Sequence, residues 1–306
     1  MANSFAVAGS NPNVGGAYPQ VWATGLQERL TGPTNWKEIC EVHYMDDYTK
    51  NIPYMSTEFS LQSGTRGTAY SHSDFTITND QLAITSQDIV SVFLDRADAA
   101  QQKFVGAAEA GQRQGDIINE RVEDLFLAQH AGWTDFGNTD LTASGGSTGA
   151  TDAITVTVAN VDNLTRAIKT AIIKAKGSKI ARRNGIAIVW RPEDFNKLEE
   201  SMASQGYTFA DMALKDGIMD ADGQGKYAFG VYHYVSESHT AGHVFAGVRK
   251  IQQVGLLKST YGKIFFNPNA VSADGPLSGQ SYEARLDYGF NPKAGLTTLL
   301  FDVNVA

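Results

Sequence analysis

The longest periodic pattern in this sequence runs from Gln87 to His130, where apolar or small residues recur every three or four positions. That spacing is the period of an α-helix and not of a β-strand. It predicts one long helix, or two shorter ones because glycines interrupt the pattern. The buried stripe would comprise Val90, Phe93, Leu94, Ala97, Gln101, Phe104, Ala108, Gly111, Gly115, Ile118, Val122, Leu125 and Phe126.

The length of this pattern bears on how the chain is used. A straight helix of about 44 residues is roughly 66 Å long, whereas a compact chain of this size has a diameter of roughly 50 Å. A helix longer than its own subunit needs cover from neighbouring copies. The pattern therefore predicts a flat, extended subunit of a shell or lattice, whose helix packs through Phe93, Phe104, Ile118, Val122 and Leu125.

Residues 1–45 open with a stretch rich in Gly, Asn, Ser and Pro, a composition that does not fold alone. In a free tail, the aromatic side chains of Tyr18 and Trp22 would have no apolar partners. We therefore expect an arm that orders on a neighbouring subunit, with packing on its own subunit as the alternative.

Residues 46–86 alternate apolar and polar side chains in several short runs, which predicts a long β-hairpin. A two-stranded hairpin is marginally stable in water by itself. We expect it to project onto another subunit through Phe59, Phe75 and, at its tip, Arg66. The alternative is a hairpin packed on the sheet of its own subunit.

A mixed α/β pattern follows the helix. Ile154–Val158 is expected to be a short strand, and a helix should begin near Asn160 or Asp162 and end at Gly177. The apolar run Ile186–Trp190 predicts a central strand buried on both faces. Pro192 should open the next helix. Later strands are expected at Tyr227–Val235, Val244–Val248, Ile264–Phe266, Tyr282–Tyr288 and Leu296–Val305.

The chain carries a net charge of −8, but residues 131–190 hold 7 basic and 4 acidic side chains and are therefore net +3. Lys176, Arg182 and Arg183 belong to this basic cluster. It could be a solvated helix end, a nucleic-acid patch or a contact with acidic residues of another subunit. Overall acidity argues against tight, sequence-independent DNA binding but allows a wall from which enclosed DNA slides away.

The sequence offers little that suggests catalysis or a cofactor. Cys40 is the only cysteine, which excludes an internal disulfide and, without an apolar signal segment, suggests a cytosolic protein. His239 and His243 are four residues apart, but a glycine and the missing adjacent Glu argue against a metal site. No nucleophile motif, dinucleotide fingerprint or stretch of 18 apolar residues occurs. We expect no enzyme activity, no cofactor, no metal and no membrane segment.

The order of arm, hairpin, long helix and mixed α/β lobe resembles the HK97-fold major capsid proteins of tailed bacteriophages. Two stretches sharpen the resemblance: Ile117–Leu127, similar to the end of the family's spine helix, and Asn163–Ile168 through Gly185–Phe195, where a helix feeds a strand and then a Pro-initiated helix.

The resemblance implies an α+β, HK97-like capsid fold. The N-arm would span residues 1–45 and the E-loop residues 46–86. The spine helix and the first part of the peripheral (P) domain would span residues 87–185. The axial (A) domain would cover residues 186–275, and return strands of the P domain would cover residues 276–306.

The resemblance also implies a function. Such proteins assemble as pentamers and hexamers into an icosahedral virion shell around double-stranded DNA, in the host cytoplasm. A scaffolding protein, a portal and a decoration protein are possible partners. We expect no scaffold fused to this chain, because the arm begins near Met1.

Some members of the family crosslink covalently through an E-loop lysine. Lys50 lies only at the base of the predicted E-loop and Arg66 cannot form that bond, so we expect no crosslinking. Two other functions stay open: an encapsulin-like nanocompartment shell, and a soluble α/β enzyme whose hairpin packs internally.

Overall fold

The computed structural model describes residues 23–30, 34–55, 66–67, 77–95, 104–143, 148–204, 226–267, 271–272, 275–276 and 279–306. The helices are α1 (residues 23–30), α2 (Asn35–Ile39), α3 (Phe104–Leu127), α4 (Asn138–Thr142), α5 (Val161–Lys174), α6 (Ser178–Asn184) and α7 (Pro192–Ser204). Short 3-10 segments follow at Ala128–Gly132 and Thr297–Leu299.

The strands fall into four sheets. They are β1 (Glu41–Met45), β2 (Thr49–Met55), β3 (Ile77–Ala83), β4 (Ser86–Asp95), β5 (Thr134–Phe136), β6 (Ile186–Trp190), β7 (Lys226–Ala228), β8 (Val231–Val235), β9 (His243–Val248), β10 (Gln252–Leu257), β11 (Ile264–Asn267), β12 (Val271–Ser272), β13 (Gly275–Pro276), β14 (Gly279–Pro292) and β15 (Leu300–Asn304). A five-stranded and a six-stranded sheet form the body, and the pairs β2–β3 and β12–β13 stand apart from both.

The long helix is shorter than predicted. Residues 86–95 form strand β4, which pairs antiparallel with β14 over ten positions. The described helix α3 runs from Phe104 over 24 residues, or roughly 36 Å. A helix of that length fits within one subunit, so the argument from helix length to a shell is wrong.

The error has a physical cause in β4. Apolar residues lie on both faces of the strand: Val90 packs against the core, while Ile89 and Phe93 are 51% and 42% exposed. Because both faces are apolar, the spacing imitates a helical stripe. Phe93 therefore lies in a strand and does not pack in the helix.

The remaining part of the helix follows its predicted stripe. Ile118, Val122 and Phe126 are buried, and Leu125 is half-buried against the same core. A Cβ built at Gly115 would lie 2.8 Å from the Cβ of Arg29 and 3.1 Å from the carbonyl oxygen of Leu26. The glycine is therefore explained by close contact with α1.

The five-stranded sheet is organised around the 14-residue strand β14, which pairs with β10, β11 and β4. β1 completes it by pairing parallel with β10. Gln114 fastens α3 to this sheet because its Nε2 donates to the carbonyl oxygens of Val90 and Tyr282, at 3.1 and 3.2 Å.

The six-stranded sheet has the order β5-β15-β9-β6-β8-β7. β6 is central and all five of its residues are buried, as predicted. α5 begins after Asn160 and α7 begins at Pro192, also as predicted. The strand predicted at Ile154–Val158 is wrong: only Ile154 pairs, in a single bridge with Val305.

The predicted domain ranges do not coincide with the two large sheets. The six-stranded sheet takes strands from residues 134–136, 186–248 and 300–304. β10 and β11, from the predicted A domain, instead pair with β14 from the predicted return segment. The A- and P-domain labels stay a prediction, whereas the sheets define the observed layers.

Among the residues that the structure describes, no helix has the length and apolar character needed to cross a bilayer.

Candidate assembly surfaces

The described strands of the hairpin β2–β3 are docked at the base and exposed at Ile77. At its base, Leu82 is buried against Met45 and Gly255 of the five-stranded sheet. Asn291 Nδ2 also donates to Asp80 Oδ1 at 2.9 Å. Towards the tip, Ile77 is 61% exposed. The antiparallel register Thr49↔Ala83 to Met55↔Ile77 confirms the predicted hairpin arms.

Three predicted contact residues belong to this hairpin. Phe59 and Phe75 lie outside the described residues. Arg66 is exposed in a turn with Gly67, whose φ of +90° suits glycine. Lys50 lies at the base, with its Nζ 3.1 Å from His43 Nδ1.

The described part of the predicted arm packs on its own subunit. Leu26, Leu30, Trp36 and Ile39 are buried in the main core, and β1 pairs with β10. The expectation of an arm ordering on a neighbour is therefore wrong for residues 23–30 and 34–45. Tyr18 and Trp22 lie outside the described residues.

The basic cluster lines a groove of about 710 Å³. Four cationic side chains and two tyrosines face it, and none of the described residues that line it is a carboxylate. Arg249 stacks over Tyr232 at 4.1 Å from the ring centroid, and Tyr227 lies 4.9 Å from the Tyr232 ring. The charged and aromatic residues are Lys169, Arg182, Arg183, Arg249, Tyr227 and Tyr232.

The fold thus supplies aromatics that the local sequence of the cluster lacks. Tyr227 and Tyr232 come from β7 and β8, more than 40 residues beyond Arg183 in the chain. Lys176 does not join this groove. It lines a separate cavity of about 480 Å³ beside Thr298 and Phe301. Lys176, Arg182 and Arg183 are all exposed and remain predicted contact residues.

An exposed apolar strip lies on the outer face of the five-stranded sheet. Ile89 and Phe93 of β4 stand on the face opposite to Val90. Their partners across the strand pair are Arg285 and Ser281. Arg285 in turn covers the ring of Phe265 at 4.5 Å.

The predicted packing residues of the helix differ in how far the structure describes and buries their side chains. Ile118 and Val122 are buried, and Leu125 is half-buried. Phe104 is the first residue of α3, and its side chain lies outside the described part of the structure.

The cysteine and the two histidines considered for chemistry from the sequence lie in different surroundings. Cys40 is buried, and this burial raises the pKa of its thiol far above the usual range. Burial lowers the pKa of His239 to about 4, and His243 instead faces Asp302. Residues 205–225 lie outside the described residues.

No protein-family model matches this sequence, and no curated protein matches it either. Solved structures do match. A structure from Gordonia phage Cozz is 12% identical, covers 90% of this chain and 88% of its own, and has a TM-score of 0.58. The mature capsid of bacteriophage PhiM1 is 13% identical, with coverages of 89% and 87% and a TM-score of 0.55.

A third match is the virus-like particle from Pyrococcus furiosus. It is 8% identical, covers 94% of this chain and 98% of its own, and has a TM-score of 0.54. At such identities the matches establish the fold. The chain has the α+β fold of phage capsid proteins, the HK97-like fold expected from the resemblance.

Proposed function

We propose that this chain is a structural subunit of a closed protein shell, the major capsid protein of a tailed double-stranded DNA bacteriophage. The observation that carries the proposal is the match to the PhiM1 mature capsid over nearly nine-tenths of both chains. The subunits assemble as pentamers and hexamers into an icosahedral shell of the virion, in the host cytoplasm. The role is structural and not catalytic.

The surface of the subunit supports this proposal. Ile77 of the hairpin and the strip at Ile89 and Phe93 are exposed apolar residues, and repeated contacts between copies would bury such residues. We propose that the hairpin of one copy lies across a neighbouring copy. Burial of several such side chains, at about 25 cal/mol per Å², would add up over a closed shell.

The charge of the chain bears on its partners. With a net charge of −8, the subunit would contact enclosed DNA weakly and without sequence specificity. A scaffolding protein, a portal and a decoration protein are the other partners proposed.

Deletion of residues 62–69, between β2 and β3, tests the overlapping hairpin. We expect a folded, soluble subunit that forms few closed particles, because the hairpin base keeps its contacts while the tip is lost. Circular dichroism, size-exclusion chromatography and particle counts by electron microscopy measure both properties.

The control for this deletion replaces residues 62–69 by Gly and Ser at constant length. It separates the loss of side chains from a change in loop length. Assembly of the deleted chain at wild-type yield contradicts the proposed overlap.

A second function has its own support. The virus-like particle from Pyrococcus furiosus matches with nearly complete coverage of both chains, so this fold by itself does not choose between a virion and an encapsulin-like compartment. Particles purified after nuclease treatment distinguish the two. Protected double-stranded DNA supports the virion, whereas a bound cargo protein without DNA supports the compartment.

A further inference from the structure

Two histidines and an aspartate from three separate elements meet beside the six-stranded sheet. His130 lies in the 3-10 segment that follows α3, His243 begins β9, and Asp302 is in the middle of β15. One possible ligand atom from each residue lies within 4.8 Å of the other two. Residues this far apart in sequence give no local motif, so the sequence does not show the cluster.

Both histidines approach the same carboxylate oxygen. His243 Nδ1 is 2.7 Å from Asp302 Oδ2 and His130 Nδ1 is 3.4 Å from it. The two imidazole rings are stacked, with centroids 3.8 Å apart and planes 21° apart. Two nitrogens and a carboxylate thus lie close to one another around one small volume.

The aspartate has a feature that the histidines alone do not explain. Its side chain is only 3% exposed, and its second oxygen, Oδ1, is buried without a hydrogen-bond partner. Among the described residues, the ion pairs of Asp302 are with these two histidines. A buried carboxylate oxygen without a partner carries an energetic cost, and a cation bound by both oxygens of Asp302 would remove it.

We propose that His130, His243 and Asp302 bind a divalent transition-metal ion, best Zn²⁺. Imidazole and carboxylate together suit zinc, and three protein ligands leave a fourth position for water. Neither the sequence motifs nor the proposed shell function requires this site, so it stands independently of both.

The distances allow the ion after a small rearrangement. Tetrahedral zinc with bonds of about 2.0–2.1 Å places its ligand atoms roughly 3.3–3.4 Å apart, which the 3.4 Å separation of His130 Nδ1 and Asp302 Oδ2 matches. The hydrogen bond of 2.7 Å at His243 would open as zinc replaces its proton. Because a metal lies in the plane of each imidazole that binds it, the stacked rings must also rotate apart. His130 and His243 are 22% and 29% exposed, so solvent borders both rings.

Metal binding would link the segment after α3 to the centre of the six-stranded sheet. A ligand that binds only the folded state raises its stability with concentration. We therefore expect Zn²⁺ to raise the melting temperature of the subunit.

The test uses the full chain without a histidine tag, stripped with EDTA and titrated with ZnCl₂ or MgCl₂. We expect one Zn²⁺ per chain by calorimetry, a rise in melting temperature with Zn²⁺ and no comparable rise with Mg²⁺. Co²⁺ should give the visible absorption of a tetrahedral site.

The variants His130→Gln and His243→Gln should weaken Zn²⁺ binding more than ~100-fold, since loss of even outer-shell partners costs 10–100-fold. His43→Gln, in the other large sheet, is the matched control and should bind Zn²⁺ normally. Absence of 1:1 binding by the wild-type chain, or unchanged affinity in the folded ligand variants, overturns the proposal. If the variants fail to fold, X-ray absorption of the Zn²⁺-loaded wild type decides, because it must show imidazole ligands.

Discussion

At the scale of single residues, the left-handed position that follows helix α5 is a lysine, where glycine is usual. Lys176 has a φ of +60°. The N–H of Gly177 donates to the carbonyl of Ile172, and that of Lys176 to the carbonyl of Ile173. These two bonds form a Schellman motif whose left-handed position is Lys176. Gly177 itself has an ordinary φ, but a Cβ there would lie 2.6 Å from Leu299 Cδ2.

Lys176→Gly should therefore stabilise the subunit. Glycine removes the strain of the left-handed conformation, which is worth about 1–2 kcal/mol. This gain exceeds the entropic stabilisation that glycine gives to the unfolded chain. We expect a net gain of about 0.5–1 kcal/mol in the free energy of unfolding, measured with urea. Lys174→Gly, in the last turn of the same helix, is the control and should cost about 1 kcal/mol. A loss of stability in both variants would show that Lys176 makes a contact worth more than its strain.

Asp140 holds the loop around α4. Its carboxylate accepts from the N–H of Gly137 and of Ala150, both at 3.1 Å, and from the N–H and hydroxyl of Thr148. Burial by itself would raise the pKa of Asp140, but these hydrogen bonds outweigh it and lower the pKa below its usual range.

This pKa has a consequence for acid stability. A carboxyl group whose pKa is lower in the folded state stabilises that state above its unfolded pKa of about 3.9, and the contribution is lost as pH falls through the folded pKa. Asp140→Asn should thus cost about 2–3 kcal/mol at pH 7, and the difference from wild type should shrink below about pH 4.

Urea unfolding at several pH values measures this dependence. Asp152→Asn, at an exposed position nearby, should cost less, because the amide oxygen can still accept the two hydrogen bonds from Thr139. A cost for Asp140→Asn that does not change with pH would contradict the role of its charge.

At the scale of elements, α3 has two faces with different uses. Val122 is fully buried, whereas Ile117 is 48% exposed on the opposite side. The helix needs the first face to fold, and the second is free to contact another copy.

Aspartate substitutions separate the two faces. Val122→Asp should prevent folding, because the free-energy cost of an unpaired charge in the core exceeds the free energy of unfolding of a typical domain. Leu125→Asp should also be severely destabilising, though less so because Leu125 is half-buried. Ile117→Asp should leave the melting temperature of the subunit nearly unchanged. Circular dichroism melts check all three, and a folded Val122→Asp chain would contradict the observed packing.

The sequence predicted those elements in which one physical signal dominates. The run Ile186–Trp190 is apolar on both faces and is the buried central strand. Pro192 begins α7, because its fixed φ suits the first helical position. Asn160 is the N-cap residue of α5, although its side chain makes no capping hydrogen bond there. The pairing of β2 with β3 also lies within residues 46–86, the segment predicted as a hairpin.

The sequence failed where partners distant in the chain decide the structure. β4 exposes Ile89 and Phe93 on one face and packs Val90 on the other, and only its pairing with β14 makes it a strand. The aromatic groove and the cluster of His130, His243 and Asp302 are likewise assembled from helices and strands that are distant in the chain. Local periodicity carries no information about such pairings.

At the scale of the whole molecule, the fold supports the shell function better than helix length does. α3 fits within one subunit, so it does not require neighbours. The surfaces suited to contact with neighbouring copies are the hairpin at the exposed Ile77 and the strip at Ile89 and Phe93. These features belong to a chain with the fold of phage capsid proteins.

The central claim is that copies of this chain close into a shell. Negative-stain electron microscopy of the expressed wild-type chain, alone and with the scaffolding candidate encoded beside it, tests this most directly. The account predicts closed particles, or rings of five and six subunits. A subunit that stays monomeric under both conditions would contradict it.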